Sequence, residues 1–175
     1  MPVYLFTFHA YRTWNADDPR GYVRKHADVR PSDPQLAQHY ERAATQPTAH
    51  FTDQVQRALL RFIHDACARR DWQLYGVAAE PTHVHLLIGW FDETISFDHV
   101  RHRLKNLASG WLNRRFETRR WFSRGSSRKR VLQQTHFDHL LTNYLPKHRG
   151  LVWIRGRDTP PPAPDEPGAP SHGSE

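Results

Sequence analysis

Glu80-Pro81-Thr82-His83-Val84-His85-Leu86-Leu87-Ile88-Gly89-Trp90 is the stretch whose reading decides the fold. From His83 onward the residues alternate with the period of a β-strand: Val84, Leu86, Ile88 and Trp90 point one way, and His83, His85, Leu87 and Gly89 the other. Pro81-Thr82 breaks this strand, predicted over 83–91, from an upstream one over 72–79. Residues two apart on a strand share a face with α-carbons about 6.6–7 Å apart, so both imidazoles can converge on one cation. In a chain with 13 histidines the same pattern also arises incidentally, and the spacing alone leaves a structural pair open. The apolar flanks favour a ligand role, because a polar ring in greasy surroundings needs a partner.

Working outward, residues 3–11 read as another internal strand, with Tyr4, Phe6 and Phe8 alternating against Val3, Leu5, Thr7 and His9. Thr52 can cap a helix reaching about 69, whose stripe is Val55, Leu59, Phe62, Ile63 and Ala66. Cys67 borders that stripe and reads as a small core residue. A second long helix, from Ser96 or Asp98 to 116, packs through Val100, Leu104, Leu107, Ala108, Trp111 and Leu112. Residues 121–132 read as a strand holding a flexible turn, SRGSSRKR. A third helix, capped by Thr135 and ended by Gly150, carries Phe137, Leu140, Leu141, Tyr144 and Leu145, and 151–154 make a short last strand. Residues 15–50, with four prolines, form a long excursion containing a short helix near 35–43. The sum is an α+β sandwich with a largely antiparallel sheet, helices on one face, and a smaller C-terminal unit.

The 175 residues suffice for one domain with a core of its own. Residues 1–155 form that domain, and 156–175, dominated by Pro, Gly, Ala and Ser, read as a disordered tail. The formal charge is +7; one Arg and four acids lie beyond 155, so the domain carries +10. That whole excess sits between 101 and 130, where Arg101, Arg103, Lys105, Arg114, Arg115, Arg119, Arg120, Arg124, Arg128, Lys129 and Arg130 face only Glu117. Such concentration points to phosphate contact, with Trp121-Phe122 placed to stack on unpaired bases; the bland alternative is a solvated basic helix whose aromatic pair anchors the next strand.

One cysteine excludes an internal disulfide and any Cys-rich zinc cluster. Neither a Gly-rich phosphate loop, a G-x-S-x-G elbow nor an H-E-x-x-H helix is present. With no long apolar run and no export-signal pattern over 1–11, the expectation is a soluble cytoplasmic protein without a membrane partner. Tyr144 and His148 are four apart, which on a helix puts both on one face. Spacing alone favours a core tyrosine with its hydroxyl at the rim and a surface histidine near the helix end.

EPTHVHLLIGW resembles the histidine strand of the IS200-like, single-tyrosine transposases, the HUH or Y1 family that includes REP-associated tyrosine transposases. Glu80 and Thr82 stand where the family often has Met and Asn, and His83 and His85 match its histidine pair. The family's nucleophile lies about sixty residues further on, and Tyr144 is 59 beyond His85, followed by His148 where relatives carry Gln or Asn. Pro146 falls inside that last spacing, where it disfavours an undisturbed helix. The resemblance implies a ferredoxin-like sandwich with a C-terminal tyrosine helix. It further implies Mg²⁺ or Mn²⁺ held by His83, His85 and His148, and Tyr144 attack on single-stranded DNA, giving cleavage and strand transfer through a 5′-phosphotyrosine. A hairpin in the DNA and a homodimer are compatible with it. The alternative is a catalytically inactive, domesticated nucleic-acid-binding protein; a metal-dependent phosphohydrolase using water is a third reading.

Overall fold

In the computed structural model, which describes residues 1–14, 16–19, 21–23 and 29–159, the histidine strand lies in the middle of a five-stranded sheet. The elements run β1 (Val3–His9), β2 (Tyr22–Val23), β3 (Val29–Arg30), α1 (Pro34–Arg42), α2 (Asp53–Ala68), β4 (Gln73–Glu80), β5 (His83–Gly89), α3 (Phe97–Arg115), β6 (Ser127–Val131), α4 (Gln134–His139) and β7 (Leu151–Ile154). Strand order is β6-β1-β5-β4-β7 with every pairing antiparallel, and β2–β3 form a separate hairpin. β6 and β7 occupy opposite edges of this one sheet, so residues 127–154 are not a separate unit.

Alternation along the strands divides the molecule into two layers. Phe6 and Phe8 of β1, Val84, Leu86 and Ile88 of β5, and Val77 and Ala79 of β4 face α2 and α3. The helices contribute Val55, Leu59, Phe62 and Ile63 from α2 and Val100, Leu104, Ala108 and Leu112 from α3 to the same core. Complete burial of each large aliphatic or aromatic side chain there is worth about 1.5–3 kcal/mol. Thr52 Oγ1 accepts from Val55 N and Ser96 Oγ from His99 N, as the cap signals predict. Cys67 lies in this core, and burial pushes its thiol up to about 12, an inert packing residue.

Across the sheet, Leu5, Ala78 and Leu87 meet Leu140, Leu145 and Ile154 in a smaller core beneath the C-terminal helical segment. That segment is irregular. α4 starts at Gln134, one residue ahead of the expected Thr135 cap, and passes into a π-helical turn, Leu140–Tyr144, and then a 3₁₀ turn, Leu145–Lys147. Gly76, beside a register shift in β4, lets it dock closely: a Cβ there would lie 2.7 Å from Leu145 Cδ1.

Other sequence expectations need adjusting. The SRGSSRKR stretch was expected to be a turn, yet its second half is the edge strand β6, whose Lys and Arg side chains suit an unpaired edge. Upstream of it, Trp121-Phe122 meets the end of β1 in an isolated bridge between Ala10 and Phe122 rather than in a continuous strand. Gly150 was expected to end the helix; it serves a close approach instead, because a Cβ would fall 1.9 Å from Ala79 O. Within the 15–50 excursion, α1 matches the short helix expected there, capped by Asp33. Residues flanking the excursion brace the turn between β4 and β5: Phe51 N donates to Pro81 O, while Ala10 N and Thr13 Oγ1 donate to Thr82 O. Gly156 to Asp158 turn back on β7, with Asp158 N donating to Ile154 O, and the rest of the expected tail, 160–175, lies outside the described residues. No helix among the described residues is long and apolar enough to cross a membrane.

Candidate active site

The small-core face of the sheet becomes polar at one end. There β1 ends in Thr7 and His9, β5 begins with His83 and His85, and β4 ends in Glu80. Register makes the convergence obligatory: His9 pairs with His83, Thr7 with His85, and Glu80 with His83. Directly opposed residues of an antiparallel pair project from the same face. His83 and His85 have ring centroids 4.6 Å apart, and His148 reaches them from the chain after the 3₁₀ turn, 4.5 Å from the His85 ring. One nitrogen from each of the three lies within 4.8 Å of the others, the dimensions of a site able to gather around a divalent ion with bonds of about 2.0–2.2 Å after a small contraction.

The nitrogens turned away from the cluster are held. Thr7 Oγ1 is 2.8 Å from His85 Nδ1, Thr82 Oγ1 is 2.9 Å from His83 Nδ1, and Glu80 Oε1 is 3.0 Å from His148 Nδ1. His148 Nε2, by contrast, is buried with no hydrogen-bond partner among the described residues. An orphaned imidazole nitrogen is costly by itself and is the group a cation would satisfy, so the donor set fits a metal. Burial, reinforced by His83, His148 and His9, pushes His85 down to about 3, leaving the neutral ring that a metal needs. Glu80 is partly buried, which opposes ionisation, but Arg149 N, the His148 ring and His83 outweigh this and hold its carboxyl below the usual range.

Tyr144 places its hydroxyl 3.3 Å from His85 Nε2, with ring centroids 5.3 Å apart. With Nδ1–H donating to Thr7, Nε2 accepts from the phenol, which makes one chain of hydrogen bonds from β1 through β5 to the tyrosine. Burial and the nearby Glu80 charge raise the Tyr144 pKa, so the phenol is protonated at neutral pH. Tyr144 and His148 do meet, at 5.1 Å between ring centroids, but not as i and i+4 on a regular helix. Leu145 stays helical despite preceding Pro146, the wide π turn takes up the local distortion, and His148 has left the helix with φ −67° and ψ 137°. The kink therefore aims the pair.

With that geometry in place, the sequence model of the family described as Transposase IS200 like matches residues 39–144, more than half of the chain and ending on Tyr144. The chain belongs to the IS200-like transposase family. It is accordingly an enzyme of the single-tyrosine HUH type, and it carries a histidine cluster able to coordinate a metal beside the tyrosine. No curated protein matches it. Among solved structures, it is similar to a candidate transposase from Deinococcus radiodurans R1, with 12% identity, 85% of this chain and 91% of that one covered, and a TM-score of 0.46. A REP-associated tyrosine transposase bound to a REP hairpin is 10% identical, with 79% of this chain and 61% of that one covered and a TM-score of 0.45. At these scores the two likenesses add no weight to the assignment.

In this IS200-like chain the basic residues expected to touch DNA are scattered. Lys105 is buried, and its ammonium donates to the carbonyls of Ser123, Arg124 and Gly125; burial and then Arg101 push its pKa down to about 8. It braces the loop ahead of β6 and is unavailable to phosphate. Trp121 is buried in the large core, and so is Phe122, which removes base stacking by this pair. Arg101 pairs with Asp98 and Ser126, and Arg119 with Glu117 and the carbonyls of Pro47 and Thr48. Exposed Arg103, Arg114 and Arg115 belong to α3, across the sheet from the histidines, and exposed Arg120 and Arg124 flank the loop that starts at Trp121. Register sends Arg128 and Arg130 to the α3 side with Phe6 and Tyr4, and Lys129 to the histidine side with Leu5. The Arg128 guanidinium accordingly lies 4.4 Å over the Phe97 ring.

Sequence reasoning passed over Glu80, Thr7, Thr82 and His9. Glu80 and Thr82 enter it only as departures from the family's usual Met and Asn. The available signal was positional: Thr7 and His9 share the alternation that carries Leu5, and a two-residue break at 81–82 fixes which residues of β4 and β5 stand opposite.

Proposed function

We propose that residues 1–155 are a single domain that cleaves single-stranded DNA and transfers the cut strand, with Tyr144 as nucleophile and His83, His85 and His148 as ligands of Mg²⁺ or Mn²⁺. The observation carrying this reading is the Tyr144 hydroxyl 3.3 Å from His85 Nε2, within the three-imidazole cluster. The bound cation would polarise the scissile phosphate, offset its developing negative charge, and favour the ionised phenol. Without metal, His85, fixed by Thr7, keeps the hydroxyl at the cluster through Nε2; with the cation on that nitrogen, the phenol would be released from it to face the phosphate. Tyr144 Oη then forms a bond to phosphorus as the P–O3′ bond breaks; the phenol's proton leaves to solvent and the departing oxygen takes one up as a 3′-hydroxyl. The tyrosine now bears the 5′-phosphate. Attack by another 3′-hydroxyl reverses the same exchange, restoring a phosphodiester without an external energy source. The single strand, or a strand next to a hairpin, would lie on the histidine face, where exposed Lys129 can meet a phosphate.

The test is cleavage of a labelled single-stranded hairpin substrate in Mn²⁺ by wild type and Tyr144→Phe. Phenylalanine keeps the ring packing and removes the attacking oxygen, so the variant should bind DNA normally and lose cleavage by about a thousandfold or more. Cleavage at the wild-type rate would overturn the assignment, and DNA binding without cleavage in wild type would favour a silent binding protein.

A further inference from the structure

His148 is the least anchored of the three histidines by its backbone. His83 and His85 are fixed by a central strand paired on both sides, whereas His148 sits in extended backbone one residue past a 3₁₀ turn. Its ring is nonetheless only half a nanometre from its neighbours and buried at Nε2. What holds it there comes from β4. Glu80 is the last residue of that strand, opposite His83, and its side chain rises on the histidine face. One carboxylate oxygen, Oε1, accepts from both His148 Nδ1 and Arg149 N at 3.0 Å, and the other, Oε2, lies 3.6 Å from His83 Nε2.

We propose that Glu80 is a positioning residue that orients His148 and sets its tautomer for the metal; this rests on the reading of the histidines as ligands. A carboxylate cannot donate, so its bond to Nδ1 places the ring proton on that nitrogen and the lone pair on Nε2, the buried atom turned into the cluster. Its bond to Arg149 N clamps the backbone on the other side of the same residue, so ring and main chain are fixed from one point. Gly150 follows directly, packed on Ala79 O, which leaves that part of the chain no freedom to swing away. Direct ligation by Glu80 does not fit: Oε1 already serves two donors, Oε2 stands 3.6 Å from His83 Nε2, and among the described residues the group of atoms within mutual reach of an ion holds only the three histidines. Thr7 has the same relation to His85 through a neutral hydroxyl, so the site is braced from behind by a carboxylate on one flank and a hydroxyl on the other.

The test measures Mn²⁺ binding to the full chain by electron paramagnetic resonance, comparing wild type, Glu80→Ala, Glu80→Gln and His148→Ala, with the His148 Nδ1–H resonance followed by NMR before metal is added. Loss of the partner should weaken Mn²⁺ about 10–100-fold in Glu80→Ala and remove the protected Nδ1–H signal, while Glu80→Gln, whose amide oxygen can still accept both bonds, recovers most of each. Cleavage by Glu80→Ala should return at raised Mn²⁺ with kcat near wild type, and hairpin binding without metal should be unchanged, which also reports that the variant is folded. Mn²⁺ affinity in Glu80→Ala within twofold of wild type would overturn the role of Glu80, as would Glu80→Gln as weak as the alanine variant. If wild type and His148→Ala bind Mn²⁺ equally, the ligand reading of His148 falls, and the proposal falls with it.

Discussion

The two faces of the sheet are built differently. The α2/α3 face is regular: two long capped helices lay apolar stripes on alternate residues of the strands, with Phe6, Phe8, Val84, Leu86 and Ile88 buried against them. The histidine face is covered by six residues of α-helix, a π turn, a 3₁₀ turn and an extended residue, and its strand ends carry Thr7, His9, Glu80, His83 and His85. Regular packing supplies most of the burial, and irregular backbone supplies the convergence of side chains. The comparison teaches that stability and chemistry reside in separate layers of one sheet, linked through β5, whose odd and even residues serve one each.

The difference is sharpest for substitutions that separate fold from site. Leu59→Ala on the helix face should cost about 2–5 kcal/mol in chemical denaturation, because the side chain is fully buried, yet the remaining folded protein should bind Mn²⁺ like wild type. A larger loss of metal affinity than of stability would dissolve the separation. Gly150→Ala reverses the emphasis. Its Cβ would strike Ala79 O at 1.9 Å, so backbone must move at the residue that follows Arg149; an expected cost of about 1–3 kcal/mol comes with a displaced His148 and weakened metal binding. Unchanged Mn²⁺ affinity in that variant would show that the chain after the 3₁₀ turn tolerates the shift.

The smallest effect concerns charge. Lys129 projects on the histidine side of β6, whereas Arg114 and Arg115 lie on α3 across the sheet. Lys129→Gln should reduce the slope of log affinity for single-stranded DNA against log salt by about 0.7, one phosphate contact, and Arg114→Gln with Arg115→Gln should leave it nearly unchanged. A fall confined to the α3 pair would place the strand on the other face.

The same contrast explains what was legible in the sequence. Helix stripes, caps and strand alternation follow fixed periods, so α2, α3, β1 and β5 could be read within a few residues, and His83 and His85 with them. The partner of each histidine could not, because it depends on which elements meet: Thr7 lies 78 residues before His85 and Glu80 68 before His148, and both acquire meaning only through the fold. Lys105 and Trp121 were misread for a related reason. A count of charges and rings along the chain does not say that Lys105, next to Leu104 at the edge of the buried stripe, will be enclosed by three carbonyls, or that Trp121 closes the core. The spacing of Tyr144 and His148 favours a rim tyrosine and a surface histidine, and only the resemblance pairs them; their contact rests on a π turn and a 3₁₀ turn around Pro146 that no helical period describes.

The central claim is that the irregular face turns Tyr144 into the nucleophile beside a histidine-held metal. Its most direct measurement is the site of covalent attachment: wild type is incubated with single-stranded hairpin DNA and Mn²⁺, the DNA is trimmed with nuclease, and the modified peptide is identified by mass spectrometry. The account predicts a nucleotide joined through its 5′-phosphate to Tyr144 and lost when His83 and His85 are both changed to Ala. Attachment to any of the other five tyrosines, or cleavage without a covalent species, would contradict it.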